Sequence, residues 1–127
     1  MIPKLRAWDK ELKMMCDVLK IDFGNRTLFY RHWAHGVSME IDFSEVIIMQ
    51  STGARYIYDE NGKEIFEGDI VKTRASEYGR FIGYVDNAIS RFKVRGVKQY
   101  KGLSVDLDGT CEIIGNIYEN PELLEDN

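Results

Sequence analysis

Short runs that alternate apolar and polar residues recur along the chain, separated by turn signals. This pattern constrains the fold most. A two-residue period places alternate side chains on opposite faces of a strand and does not build an amphipathic helix. "KLRAWD" puts Leu5 and Ala7 on one face, Arg6 and Trp8 on the other, and the charged Asp9 to Glu11 follows as a turn. "MMCDVLKIDF" reads as a second strand, with Cys16, Val18 and Ile21 facing inward after a bulge, and Gly24 to Arg26 as a tight turn. "TLFYRHW" is β-branched and aromatic, hence a third strand, ended by Gly36. "SMEIDF" alternates Met39, Ile41 and Phe43, and "EVIIMQ" is a buried strand, with one helical turn over Phe43 to Val46 between them.

The later part keeps the same pattern. "GRFIGYVDN" directs Phe81 and Val85 one way, and "SRFKVRGV" alternates strictly. "LSVDLDGTCEIIGNIY" is expected to be a hairpin: Leu103, Val105 and Leu107 lead to a turn at Asp108-Gly109, and the return strand carries Cys111, Ile113 and Ile114. "NPELLEDN" is expected to start a short helix, Pro121 to Glu125, with Asn120 as N-cap and Glu122 near the positive end of the dipole. There is no internal repeat, low-complexity tract or Pro/Ser-rich linker, and a boundary falls near Gln50 to Gly53.

The central stretch "YDENGKEIFEGDIVK", Tyr58 to Lys72, is either a ligand loop or a folding unit. Asn61-Gly62 is a strong two-residue hairpin signal and predicts a type I′ turn with positive φ at both residues. Gly68-Asp69 predicts a second turn into "IVKTR", with the Asp69 carboxylate accepting from the turn's N–H groups. A phosphate-cradling loop would be followed by a helix, and none follows here. The folding-unit reading is preferred.

Composition bounds the rest. A chain of 127 residues holds one domain, or two small β subdomains, about 1–52 and 53–127, sharing one core. Its hydrophobic share of 44% and charged share of 30% suit a globular protein, and a formal charge of −4 disfavours nonspecific binding to nucleic acid. No apolar run approaches the ~18 residues of a membrane span, so no membrane partner is expected. The N-terminus has no secretory pattern, which makes the cytoplasm the expected compartment and Cys16 and Cys111 free thiols.

Three motifs coincide in order: "KLRAWD", then "MQSTG" with "DENGKEIFEGDIV", then "EIIGNIYENPELL". Together they resemble the YopX-like family of small phage and prophage proteins. Where similar proteins have "FTGLKDKNG", this chain has "STGARYIYDENG", so Ser51 replaces an aromatic and extra residues precede Asp59. The resemblance implies an all-β, self-associating protein in a bacterial cytoplasm during infection or lysogeny. It implies no known reaction and no catalytic residue. "EGDIVKTRASEYGRFIGYV" separately resembles the opening of an SH3-like barrel, which speaks for geometry more than function. The expected architecture is a small β-barrel or sheet, SH3-like in its C-terminal part, with a short C-terminal helix.

Candidate sites are few. His32 and His35 flank Trp33 three residues apart; in a strand they face opposite sides, and a zinc site needs further ligands. Asp106, Asp108 and Glu112 flank the expected hairpin and make either an oxygen-ligand cation site or a solvated hairpin end. In "SRFKVRGVKQYK", Arg91, Lys93 and Arg95 share one strand face, extended by Lys98 and Lys101, with Tyr100 available to stack on a base. This is either an anion or nucleic-acid contact or a solvated face, neutralised by acidic neighbours or guarding an edge. Trp8 and Trp33 are candidate anchors, Trp8 packing beside Arg6. No cofactor, metal or catalytic residue is assigned. The leading expectation is a non-enzymatic, self-associating phage accessory module that binds a host or phage protein. A nucleic-acid binder and a metal-dependent hydrolase are the alternatives.

Overall fold

The computed structural model describes residues 4–32, 38–52, 58–76, 79–88, 91–107 and 110–125. The all-β class holds. Two antiparallel five-stranded sheets form. The first contains β1 (Leu5–Asp9), β2 (Met14–Asp22), β3 (Thr27–His32), β4 (Ser38–Asp42) and β5 (Val46–Gln50) in the order β4-β3-β2-β1-β5. The second contains β6 (Asp69–Ser76), β7 (Gly79–Ala88), β8 (Arg91–Gly96), β9 (Ser104–Asp106) and β10 (Glu112–Asn116) in the order β10-β6-β7-β8-β9. Each sheet is a four-strand meander whose fifth strand returns to pair with the first. The plan is duplicated in topology although the sequence shows no repeat.

That plan forces curvature. Flat, the outer strands of a five-stranded sheet would lie about 19 Å apart. Yet β4 ends at Asp42 and β5 begins at Val46, with only the 3-10 turn Phe43–Glu45 between them. Four residues reach at most ~14 Å, so the first sheet must curl. In the second the connection is longer, and the curl rests instead on Leu107 and Cys111, which follow β9 and precede β10 and are both buried in its one core cluster. Neither sheet closes into a barrel among the described residues.

The bulge expected in β2 lies between Val18 and Lys20, and it turns Val18 and Ile21 onto the cluster of Ala7, Cys16, Leu28, Tyr30 and Val46. The second sheet packs Ile65, Val71, Phe81, Val85, Val94, Leu107 and Cys111. A third cluster joins Trp8, Met15 and Met49 of the first sheet to Tyr118 after β10. β1 serves two clusters because it is flanked on both sides: Ala7 fills one face, while Trp8 on the other stacks on Tyr118 at 5.6 Å between ring centroids.

Three local expectations are corrected. β9 and β10 do not pair: β9 pairs with β8 and β10 with β6, so Leu103 to Tyr118 is no hairpin, and Asp108-Gly109 lies outside the described residues. Alternation shows which way side chains face but not which strand is the neighbour. Asn61-Gly62 is not a type I′ turn, because only Gly62 has positive φ, +81°. The Gly62 N–H donates to the Asp59 carbonyl and the Asp59 N–H to the Lys63 carbonyl, which is a three-residue hairpin loop with a left-handed Gly. The C-terminal helix is only a 3-10 turn, Pro121–Leu124. Asn120 does not cap it; its side-chain oxygen instead accepts from the Asn116 N–H.

Gly68 has φ +85° at the third position of the Phe66–Asp69 turn, where a type II turn requires it. A Cβ there would also lie 3.3 Å from the Tyr118 ring and 3.4 Å from the Met49 sulfur. At Gly62 nothing lies within 4 Å. Gly68→Val is therefore expected to destabilise the fold by about 2–3 kcal/mol and Gly62→Val by about 1 kcal/mol. Urea denaturation measures both, and equal midpoints would contradict the ranking.

Candidate functional site

The basic strand face is largely offset by its neighbours. Register sets Lys93 opposite Asp86 on β7 and Asp106 on β9. The Arg91 guanidinium lies 3.2 Å from the Asp106 carboxylate, and the Lys93 ammonium is 3.6 Å from the same group. Arg95 Nε donates to Asp86, which raises the Arg95 pKa above its ordinary value. Tyr100 is not free to stack on a base: its ring is half-buried and packs on Phe81, 4.9 Å between centroids, against the second core. Gly96 explains why. The Tyr100 carbonyl folds so close to Gly96 that a Cβ there would sit 2.0 Å from it. Lys98 and Lys101 lie beyond the strand, at the two ends of a 3-10 turn.

The residues of the central stretch meet at a seam between the sheets. Asp59, buried, accepts from the N–H groups of Asn61 (2.9 Å), Lys63 (2.8 Å) and Ile113 (2.9 Å), and so ties the loop to β10. Asp69 accepts from the Phe66 N–H at 2.8 Å with one oxygen and from Arg6 Nη2 at 2.7 Å with the other. Arg6 reaches it from β1, with 4% of its surface exposed against 2% for Asp69. Arg6 also donates to the Glu67 carbonyl at 3.2 Å and lies 4.7 Å from the Phe66 ring centroid. Burial pushes the Asp69 carboxyl above its ordinary range, against the pull of Arg6 and the Phe66 N–H. Sequence reasoning missed Arg6 as the partner. The available signal was a cation alternating with Trp8 on a strand whose opposite face carries the apolar Leu5 and Ala7. It also missed Asp59, although an Asp opening a tight turn commonly accepts from N–H groups within it.

Beside this seam lies a cleft of about 620 Å³, walled by Lys4, Arg6, Asp17, Lys20, Glu64 and Phe66 among others. Arg6 Nε and one Glu64 oxygen are buried there without a hydrogen-bond partner among the described residues. These groups can position a polar ligand. None is a nucleophile beside a base.

The other candidates divide. Asp106 is paired with Arg91 and Lys93, and Glu112 with Lys72 at 3.3 Å, which places the two acids at opposite edges of the sheet, not at one cation site. Asp108, Trp33 and His35 lie outside the described residues, and only the backbone of His32 is described. No cluster of three or more His, Cys, Asp or Glu suited to a metal occurs among the described residues. Cys16 and Cys111 are not joined in a disulfide, and they are buried in different cores. Burial, followed by the Asp9 carboxylate, pushes the Cys16 thiol from 9.0 up to about 12.

Two outcomes follow. Arg6→Met strands a buried carboxylate and is expected to cost about 3–5 kcal/mol, while Arg6→Met with Asp69→Asn, which removes the stranded charge and keeps an acceptor for the Phe66 N–H, is expected to recover part of it. Urea denaturation of both variants measures this, and a double variant as unstable as the single would refute it. For Cys16 the raised pKa favours the folded state below pH 9 and that advantage is lost as pH rises towards 12. The alkaline loss of stability should therefore be shallower in Cys16→Ala, and native protein at pH 8 should resist thiol labelling that denaturant permits.

With this geometry in place, similarity is informative. The YopX protein family matches residues 4–125, a span that contains both sheets and the seam. Among solved structures, the chain is similar to the crystal structure of protein yopX from Bacillus subtilis. The identity is 25%, 98% of this chain and 100% of that one are covered, and the TM-score is 0.60. No curated protein matches. By the extent of the family match, the chain belongs to the YopX protein family.

Proposed function

We propose that this YopX-family chain is a non-enzymatic, self-associating interaction module, acting in a bacterial cytoplasm as a phage or prophage accessory protein with a host or phage protein partner. The seam supports the non-enzymatic part. The buried carboxylates of Asp9, Asp59 and Asp69 are each spent on the chain's own N–H groups. Such groups hold turns and are poorly placed for proton transfer. The 5-1-2-3-4 strand order and strong curl of the second sheet support an SH3-like reading of that half.

One observation carries self-association: the sheet edges are unequally protected. β9 is only three residues long. β10 has a bulge, and its Ile113 and Asn116 N–H groups donate to the side chains of Asp59 and Asn120. β5 is bound at its end by Glu67, which takes the Gln50 N–H and donates to the Gln50 carbonyl. β4 pairs with β3 and has no second strand among the described residues. At its corner Phe23, 77% exposed, meets Phe43 edge-on at 6.1 Å. An open edge beside an exposed aromatic favours strand addition by a second copy.

Light scattering in reducing buffer is expected to report more than one chain at micromolar concentration. Hydrogen exchange over Ser38–Asp42 should slow as concentration rises. Phe23→Ser should weaken association by about tenfold without lowering stability. A monomer at all concentrations would refute the reading.

A further inference from the structure

The alternation of Arg91, Lys93 and Arg95 draws attention to β8, but the least compensated positive charge lies just beyond it. Arg95, Lys98, Lys101, Ser104 and Tyr84 line a cleft of about 340 Å³ with an apolar side formed by Leu103 and Leu124 among others. No acidic side chain lines it. Arg95 is held by Asp86, whereas Lys98 and Lys101 have no acid within ion-pair distance among the described residues.

The segment carrying these lysines is tightly built. Lys98 and Lys101 bracket a 3-10 turn, and both line the cleft. The Lys101 N–H donates to the Lys98 carbonyl at 3.0 Å, the Leu103 N–H to Tyr100 at 3.0 Å, and the Gly96 N–H to Leu103 at 2.8 Å. The Tyr100 ring, wedged on Phe81, anchors the turn to the core. Lys98 itself has φ +56°. A lysine in the left-handed region costs energy that Gly or Asn would largely avoid. Strain therefore sits at the position that brings Lys98 to the cleft that Lys101 also lines.

We propose that this cleft binds a phosphate group of a nucleotide-sized ligand, with Lys98 and Lys101 contacting the anion, Arg95 and Ser104 at its rim, and Leu103 and Leu124 against the ligand's less polar part. The volume lies at the low end of small-molecule sites, and paired ammonium groups on a fixed turn suit a phosphate's charge. The proposal is independent of self-association through β4, since the residues lie on the other sheet.

Backbone amide shifts of the full chain, followed by NMR during titration with pyrophosphate, AMP and a 5′-phosphorylated oligothymidylate, test it. Shifts are expected to concentrate at Gly96 and Lys98 to Ser104. Lys98→Gln and Lys101→Gln should each weaken binding by at least about tenfold, and Lys93→Gln should leave it unchanged. Equal affinity for AMP and the oligonucleotide would assign the phosphate to a free metabolite. Tenfold tighter oligonucleotide binding at the same amides would assign it to a nucleic-acid backbone. Absence of localised shifts at millimolar pyrophosphate, or equal weakening by Lys93→Gln, would overturn the proposal.

Discussion

The buried pair of Arg6 and Asp69 sets the terms for the rest of the molecule. It joins the first strand of one sheet to the first strand of the other, at 2.7 Å and almost out of solvent. Two such charges gain little net stability from meeting, because desolvation offsets their attraction. What they impose is a penalty on every arrangement that separates them. Asp69 also closes its own turn through the Phe66 N–H, so the pair fixes the path of Phe66 to Asp69. From that turn Gly68 donates to the Val85 carbonyl and accepts from the Ile117 N–H, and Met49 and Tyr118 close over it. One ion pair thereby orients both sheets and the chain after β10.

This dependence explains the density of the central stretch. Its glycines are needed for backbone geometry, the carboxylates of Asp59 and Asp69 for backbone N–H groups, and its apolar residues Ile65 and Phe66 for burial. Glu67 turns back to the Gln50 N–H. A segment so occupied is understandable as the part that holds the two halves together.

What was legible in the sequence was local. Alternation placed Ala7 opposite Trp8, put Phe81 with Val85 in the core, and even located the β2 bulge, because side-chain direction follows from a period of two. Strand neighbours were not legible. The Asp108-Gly109 signal suggested that β9 and β10 pair, yet they occupy opposite edges of a curled sheet. Pairing depends on the return of a late strand to an early one, which local pattern does not encode. The basic face failed for the same reason. Its cations share a side as expected, but their neutralisation by Asp86 and Asp106 depends on which strands flank β8. Tyr100 looked available because nothing in its own segment reveals that Gly96 admits its backbone and sends the ring inward.

The repeated strand plan then bears on where the two halves can differ. Since both sheets follow one order, their pairing alone cannot distinguish their roles. The connections can. In the first sheet the link from β4 to β5 is a single 3-10 turn, short enough to force the curl and leave little surface. In the second, the segment between β8 and β9 forms a separate hydrogen-bonded turn that is pinned to the sheet through Tyr100 and carries charges the strands do not cancel. Loops that are fixed by a rigid scaffold, yet do not build it, are where binding residues are free to vary. The second sheet also guards its edges with a short strand, a bulge and side-chain caps, while β4 of the first has no such cover among the described residues. The duplicated plan thus leaves the two halves with different surfaces, a strand edge on one and a charged turn on the other.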